Sequence, residues 1–266
     1  EGNRRTGKTS VLRQLQKKDA LPGWIAVYCS FQDAEGDESR AGITTQNVYR
    51  LMARTLGWAL FDAGVRTWLP GEPKPAGQRP FKVEFRAALD HAFAGPHPFE
   101  TFEEYLAAAL EAARPRRVLL MLDEFDKLQE GIDSGVTSPQ VPENIRHLLQ
   151  HHAGLSAILT GSRRLKRLRE EYWSALFGLG YRIGISALPL ADAQRLVTEP
   201  VVERLSYLPA ARDRLVELCA RQPFLVQSLC NRVFEKAAEA KERTITLAAV
   251  NEAAAEMVRE NEHFRT

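Results

Sequence analysis

The chain has 266 residues, enough for one large domain or two modest ones, and its 44% hydrophobic and 26% charged composition is that of a soluble globular protein. No apolar run approaches the ~20 residues that cross a bilayer, and no signal peptide is visible, so we expect no membrane partner. The net charge of +2 argues neither for nor against nucleic acid, because only a localised basic face would matter.

The three cysteines, Cys29, Cys219 and Cys230, each lie within an apolar stretch. Their odd number and apolar surroundings favour buried, reduced thiols, and we expect a cytoplasmic protein. No spacing of Cys and His resembles a zinc site.

The chain opens with a match to the phosphate-binding loop pattern G-x-x-x-x-G-K-[ST]. The match predicts nucleotide contacts from Gly2, Asn3, Arg4, Arg5, Thr6, Gly7, Lys8, Thr9 and Ser10. Backbone N–H groups of such a loop surround phosphate oxygens, and the helix N-terminus that follows favours negative charge. We expect Lys8 to reach the phosphates of ATP or ADP and Thr9 to ligate Mg²⁺. No apolar strand precedes Gly2, so we interpret the chain as cut from a longer protein.

Hydrophobic periodicity then predicts helices alternating with strands. The predicted helices are 10–18, 44–62, 83–93, 99–113 and 142–152, and the predicted strands are 24–31, 117–122, 155–160 and 181–185. The stretch 68–98 holds six of the fourteen prolines and is predicted to be a loop-rich insertion around the helix at 83–93.

The strand at 117–122 is a continuous apolar run that ends in Asp123 and Glu124. Ligands of open parallel sheets bind at the carboxyl ends of strands, so this pair is predicted to face the phosphates. We expect Asp123 to hold Mg²⁺ through water and Glu124 to orient or deprotonate the attacking water. The alternative is a solvated strand end without a catalytic role.

The predicted strand 155–160 also ends in polar residues. Thr160 and Ser162 are candidates for a hydrogen bond to the attacking water or the γ-phosphate, and Thr160 is preferred. Five basic residues come next, namely Arg163, Arg164, Lys166, Arg167 and Arg169. They form a solvated helix face, or they supply an arginine in trans to a neighbouring subunit, or they contact nucleic acid.

After residue 190 the pattern is helical, with one possible strand at 244–247. We therefore predict an α/β fold, with a parallel-sheet P-loop NTPase core at residues 1–189. A small all-helical or winged-helix-like lid follows at residues 190–266.

Several phrases together resemble the bacterial STAND-type, AAA-like ATPase domains of the additional-strand, catalytic-glutamate class. They are GNRRTGKTSVLRQL, LDEFDKLQEGIDSG, ILTGSRRL, YWSALF, LVTEPV and RQPFLVQSLCNRV. The resemblance implies a nucleotide-operated switch that self-associates through its ATPase domains and is fused to sensor or effector domains outside this chain. It also implies adenine contact by Pro223, although Arg221 replaces the glycine of the family's Gly-x-Pro motif. The alternative for Pro223 is the first turn of a helix.

Two other functions remain open at this point. One is a DNA-associated AAA+ ATPase of the origin-recognition or transposition-helper type. The other is a nucleotide-binding scaffold without turnover, against which Glu124 argues.

Overall fold

The structure is a computed structural model, and it describes residues 5–17, 20–33, 42–74, 77, 79–161, 178, 180–181 and 183–260. The chain divides into two compact units. Lys8–Ile183 forms most of the first, whereas Gly184–Thr266 forms the second together with Gly2–Gly7. Within the described ranges, every helix is too short or too polar to cross a membrane.

The first unit is built on a three-stranded parallel sheet. Its strands are β1 (Trp24–Ser30), β2 (Arg117–Asp123) and β3 (Leu155–Leu159), in the order β1-β2-β3. β2 is central, and every residue after Arg117 is buried, as expected for a strand that is covered on both faces. These three predicted strands are confirmed. The register places Ser30 opposite Asp123, so the carboxyl ends of the strands meet at one edge.

Helices cover both faces of this sheet. They are α1 (Lys8–Leu15), α2 (Thr45–Asp62), α3 (Phe81–Ala92), α4 (Pro98–Ala113), α5 (Lys127–Asp133) and α6 (Val141–His151). On one face, Leu12 of α1 packs against Leu119 and Met121. On the other face, α2, α3, α4 and α6 bury the larger core. α2 begins after Thr44, whose hydroxyl caps the helix by accepting from the Asn47 N–H.

The proline-rich stretch 68–98 contributes directly to that larger core. Its helix, predicted at 83–93, is α3, and Leu69, Phe85 and Leu89 are almost completely buried. The edge of the Phe85 ring lies so close to Gly57 of α2 that an added Cβ would come within 2.3 Å of it. The stretch is therefore an integral part of the first unit.

The second unit is helical and has a core of its own. Its elements are α7 (Leu190–Thr198), β4 (Ser206–Tyr207), α8 (Pro209–Leu218), α9 (Pro223–Ala240), β5 (Thr244–Ile245) and α10 (Leu247–Glu260). Val197, Leu215, Val226 and Val250 lie at the centre of this core. The two short strands pair in parallel, so the possible strand at 244–247 is confirmed as β5. The prediction of successive helices is also confirmed.

One local prediction needs correction, and two short elements were missed. The strand predicted at 181–185 is wrong for its described residues, because they form no strand and Tyr181 and Ile183 are largely exposed. An alternating apolar pattern cannot by itself tell a half-buried strand from an exposed loop. α5 and β4 were not predicted, since seven residues around Gly131 and a two-residue strand are too short to show periodicity.

Candidate nucleotide and magnesium site

One buried carboxylate organises the edge where the strands end. Asp123, the last residue of β2, is only 1% exposed. Its Oδ2 accepts hydrogen bonds from the Thr9 hydroxyl at 2.6 Å and from the Tyr28 hydroxyl at 2.9 Å. Its Oδ1 accepts from the Thr160 hydroxyl and from the Glu124 backbone N–H at 3.0 Å. Four donors therefore hold this side chain in one orientation.

These donors come from four different segments of the first unit. Thr9 is the second residue of α1, Tyr28 lies in β1, and Thr160 follows β3. The Thr160 backbone continues the sheet beyond β3, since its N–H donates to the Leu122 carbonyl at 2.9 Å. Its carbonyl accepts from the Phe125 N–H at 2.8 Å. Parallel pairing thus brings together residues that are far apart in sequence.

The hydrogen bonds set the charge of the cluster. Burial alone raises the pKa of Asp123, but the bonds from Thr160, Thr9, Tyr28 and the Glu124 N–H outweigh it and lower the pKa below its ordinary value. Burial, together with the neighbouring Asp123 charge, raises the pKa of Tyr28 to about 12. At neutral pH the site therefore consists of an ionised carboxylate and a protonated phenol.

The donor set is suited to magnesium. Among the described residues, no group of three or more His, Cys, Asp or Glu is arranged to hold a metal ion. The hydroxyl of Thr9 and the carboxylate of Asp123 are hard oxygen donors, and Mg²⁺ typically takes only one or two protein ligands beside phosphate oxygens and water. These two residues would hold the ion jointly with a bound phosphate.

The described part of the phosphate-binding loop has a distinctive backbone. Arg5 has φ 64° and Gly7 has φ 92°, a left-handed conformation that a residue other than glycine adopts at a cost. Thr6 and Lys8 are buried, whereas Ser10 is exposed. The remaining predicted loop residues, Gly2, Asn3 and Arg4, lie outside the described residues.

Glu124 follows Asp123 with φ 53°, in the left-handed region that residues with a Cβ rarely occupy. Its carbonyl accepts from the Lys127 N–H at 2.9 Å, which starts the turn into α5. Strained backbone of this kind persists where the surrounding structure fixes it, and it clusters at functional sites. The predicted catalytic glutamate thus sits at a constrained position beside the carboxylate.

Pro223 is the first residue of α9. It therefore lies in the first turn of a helix, which was the alternative to adenine contact. Within the second unit, an added Cβ on Gly7 would lie 3.9 Å from the Pro223 ring, and the Arg5 guanidinium lies 4.2 Å from the centre of the Phe224 ring. Arg221 has φ 59°. A glycine suits this position because it adopts that conformation freely, and here arginine occupies it at a conformational cost.

Tyr28 was not predicted as a site residue. A tyrosine inside the apolar run of β1 is equally well explained as part of the core, and its ring does pack in the smaller cluster beside Leu12. Only the alternation of side chains along the strand and the position near the strand's end could have indicated it. By contrast, Ser162, Arg163, Arg164, Lys166, Arg167 and Arg169 were singled out and lie outside the described residues.

Comparison with known proteins finds similarity in structure only. No protein-family model and no curated protein matches the sequence. The chain superposes on ORC2 of Aeropyrum pernix in ADPNP–ADP complexes with a TM-score of 0.54 and 14% identity, covering 96% of this chain and 60% of that one. It superposes on Drosophila ORC bound to DNA with a TM-score of 0.51 and 17% identity, covering 97% of this chain and 54% of that one.

The chain thus spans little more than half the length of either structure. At these identities the similarity concerns the fold alone, and the chain shares with these structures a mixed α/β fold built on a parallel sheet, as predicted.

Proposed function

We propose that this chain binds ATP with Mg²⁺ and hydrolyses the terminal phosphate. The observation that carries the proposal is the 2.6 Å hydrogen bond between Thr9 and Asp123. It joins the residue after the loop lysine to the acidic end of the central strand, where a phosphate-bound magnesium ion needs oxygen ligands.

Each residue of the site has a distinct part in this proposal. The loop N–H groups and Lys8 hold the phosphate tail, while Thr9 and Asp123 hold the metal. Bound Mg²⁺ neutralises charge on the phosphate oxygens. Glu124 orients the attacking water and accepts its proton. Thr160 donates to Asp123, and its oxygen keeps acceptor capacity for that water.

Binding and turnover are tested separately. Lys8→Ala should abolish binding of labelled ATP, whereas Glu124→Gln should keep binding and lose phosphate release by ~10²-fold or more. The matched controls are Lys17→Ala and Glu143→Gln, which change exposed residues of the same unit. Full ATP affinity in Lys8→Ala would refute nucleotide binding at this loop, and undiminished turnover in Glu124→Gln would refute the catalytic role.

The finer proposal is that hydrolysis operates a switch of the STAND type, in which ATP exchange drives self-association. It is supported by the resemblance of the sequence motifs. Light scattering should find a larger assembly with a non-hydrolysable ATP analogue than with ADP. An equal mass in both states would refute the switch.

A DNA-associated ATPase is the second candidate. It is favoured by the structural similarity to two ORC proteins, one of which is bound to DNA. The basic residues between Arg163 and Arg169 are the candidate contacts. DNA affinity should then fall with salt, and Arg163→Glu with Arg164→Glu should flatten the salt dependence. An unchanged slope would remove this role from those residues.

A further inference from the structure

Tyr28 fills the last acceptor position of the buried carboxylate. An ionised carboxylate offers about four lone-pair sites to donors. Oδ1 of Asp123 already accepts from Thr160 and Glu124, and Oδ2 accepts from Thr9. The Tyr28 hydroxyl, 2.9 Å from Oδ2, is the fourth donor.

The phenol is itself held from the side. The Arg13 guanidinium of α1 lies over the Tyr28 ring, 3.7 Å from its centre. A cation at this distance above an aromatic face is attracted by the ring. Helix α1, which carries Thr9, therefore also fixes the ring whose hydroxyl reaches Asp123.

The four donors differ in whether they are compatible with a bound metal. Thr9 can ligate the ion through its oxygen and still donate its hydrogen to Asp123. Glu124 donates through its backbone. Thr160 is 6% exposed, and its backbone N–H and carbonyl both bond to the neighbouring segment at Leu122 and Phe125. A metal-bound water that donates to Asp123 needs one acceptor position. Of the four donors, the Tyr28 hydroxyl is the one whose position such a water would take, because Thr9 is needed at the metal and the donors from Glu124 and Thr160 are held by backbone bonds.

We propose that Tyr28 is a positioning residue that competes with metal-bound water for Oδ2 of Asp123, and thereby sets the magnesium concentration needed for nucleotide binding. The inference rests on the proposed function of the site. It adds a determinant of metal dependence that lies in β1, outside the phosphate-binding loop and the acidic strand end.

Removing the competing hydroxyl should strengthen the coupling to magnesium. In Tyr28→Phe, Oδ2 regains a free lone pair and keeps its full charge, and both changes favour a donor on the metal. We expect half-saturating Mg²⁺ to fall by roughly tenfold or more, as for the loss of one competing hydrogen bond to a charged group. Arg13→Gln keeps the Tyr28 hydroxyl but removes the cation that lies over its ring. It should therefore also lower the half-saturating Mg²⁺ concentration, but by less.

The measurement is the affinity for a fluorescent, non-hydrolysable ATP analogue across a Mg²⁺ titration and in EDTA. Affinity in EDTA should be unchanged by Tyr28→Phe. The control is Tyr49→Phe, which removes a phenol that bonds to Asn144 away from the site. It should leave the titration unchanged.

The outcomes separate this inference from the function on which it rests. An unchanged or increased Mg²⁺ requirement in Tyr28→Phe would overturn it, since a phenol that merely supports Asp123 would weaken metal coupling when lost. If Tyr28→Phe fails to fold, Arg13→Gln decides by the same criterion. A native chain that binds no analogue under any condition would instead refute the proposed function, and the inference with it.

Discussion

Thr160→Val removes a single hydroxyl from the most constrained part of the site. That hydroxyl donates to Asp123, and the donor and acceptor residues are 6% and 1% exposed. Valine has nearly the same shape and keeps the backbone bonds to Leu122 and Phe125. A hydrogen bond to a charged group contributes about 1.5–3 kcal/mol. For a unit that spans Lys8–Ile183, that corresponds to a fall in melting temperature of roughly 3–12 °C.

The pH dependence identifies the mechanism. The folded-state pKa of Asp123 is lowered from 3.8, so its stabilisation is fully present above this ordinary value and is lost as the pH falls through the folded-state pKa. The deficit of Thr160→Val should therefore shrink in acid. Thr160→Ser is the control, because it keeps the hydroxyl and loses a methyl group, at a cost of about 1 kcal/mol that does not depend on pH.

Thermal unfolding of the three proteins at several pH values provides the assay. A Thr160→Val protein as stable as the native chain at neutral pH would refute the bond to Asp123. A deficit that stays constant into acid would show that packing, and not charge, explains the loss.

Other predictions concern stability away from Thr160. Arg221→Gly should increase the free energy of unfolding by about 0.5–1 kcal/mol, because a backbone φ of 59° costs arginine more than glycine. The denaturant midpoint should therefore rise, and a lower midpoint would contradict this. Lys241→Gly should act likewise, since Lys241 ends α9 in the left-handed conformation. Gly57→Ala should destabilise by about 1–3 kcal/mol despite better helix propensity, because its Cβ would meet Phe85; unchanged stability would refute that close approach.

The parts of the site that the sequence predicted share one property. Asp123, Glu124 and Thr160 follow apolar runs, and parallel strands place such residues at one edge of the sheet. The phosphate-binding loop is recognisable because its glycines and lysine have fixed spacing. These inferences need only local sequence and the general geometry of parallel sheets.

The remaining features depend on tertiary context. Tyr28 has no distinguishing local signal, because its hydroxyl acquires a role only when β1 pairs with β2 in the observed register. The positive φ values at Glu124 and Arg221 could not be predicted, since neither residue type favours that conformation. The strand predicted at 181–185 failed for a related reason, because burial of its apolar residues depends on partners that periodicity does not reveal.

In the proposed function, Thr9 and Asp123 together form the magnesium end of a nucleotide site. This role of the pair is measured by the ratio of ATP-analogue affinity in Mg²⁺ to that in EDTA, compared between the native chain and Asp123→Asn. We expect a ratio well above one for the native chain and a ratio near one for the variant, because a neutral amide cannot replace the carboxylate. An equal enhancement by Mg²⁺ in both proteins would contradict it.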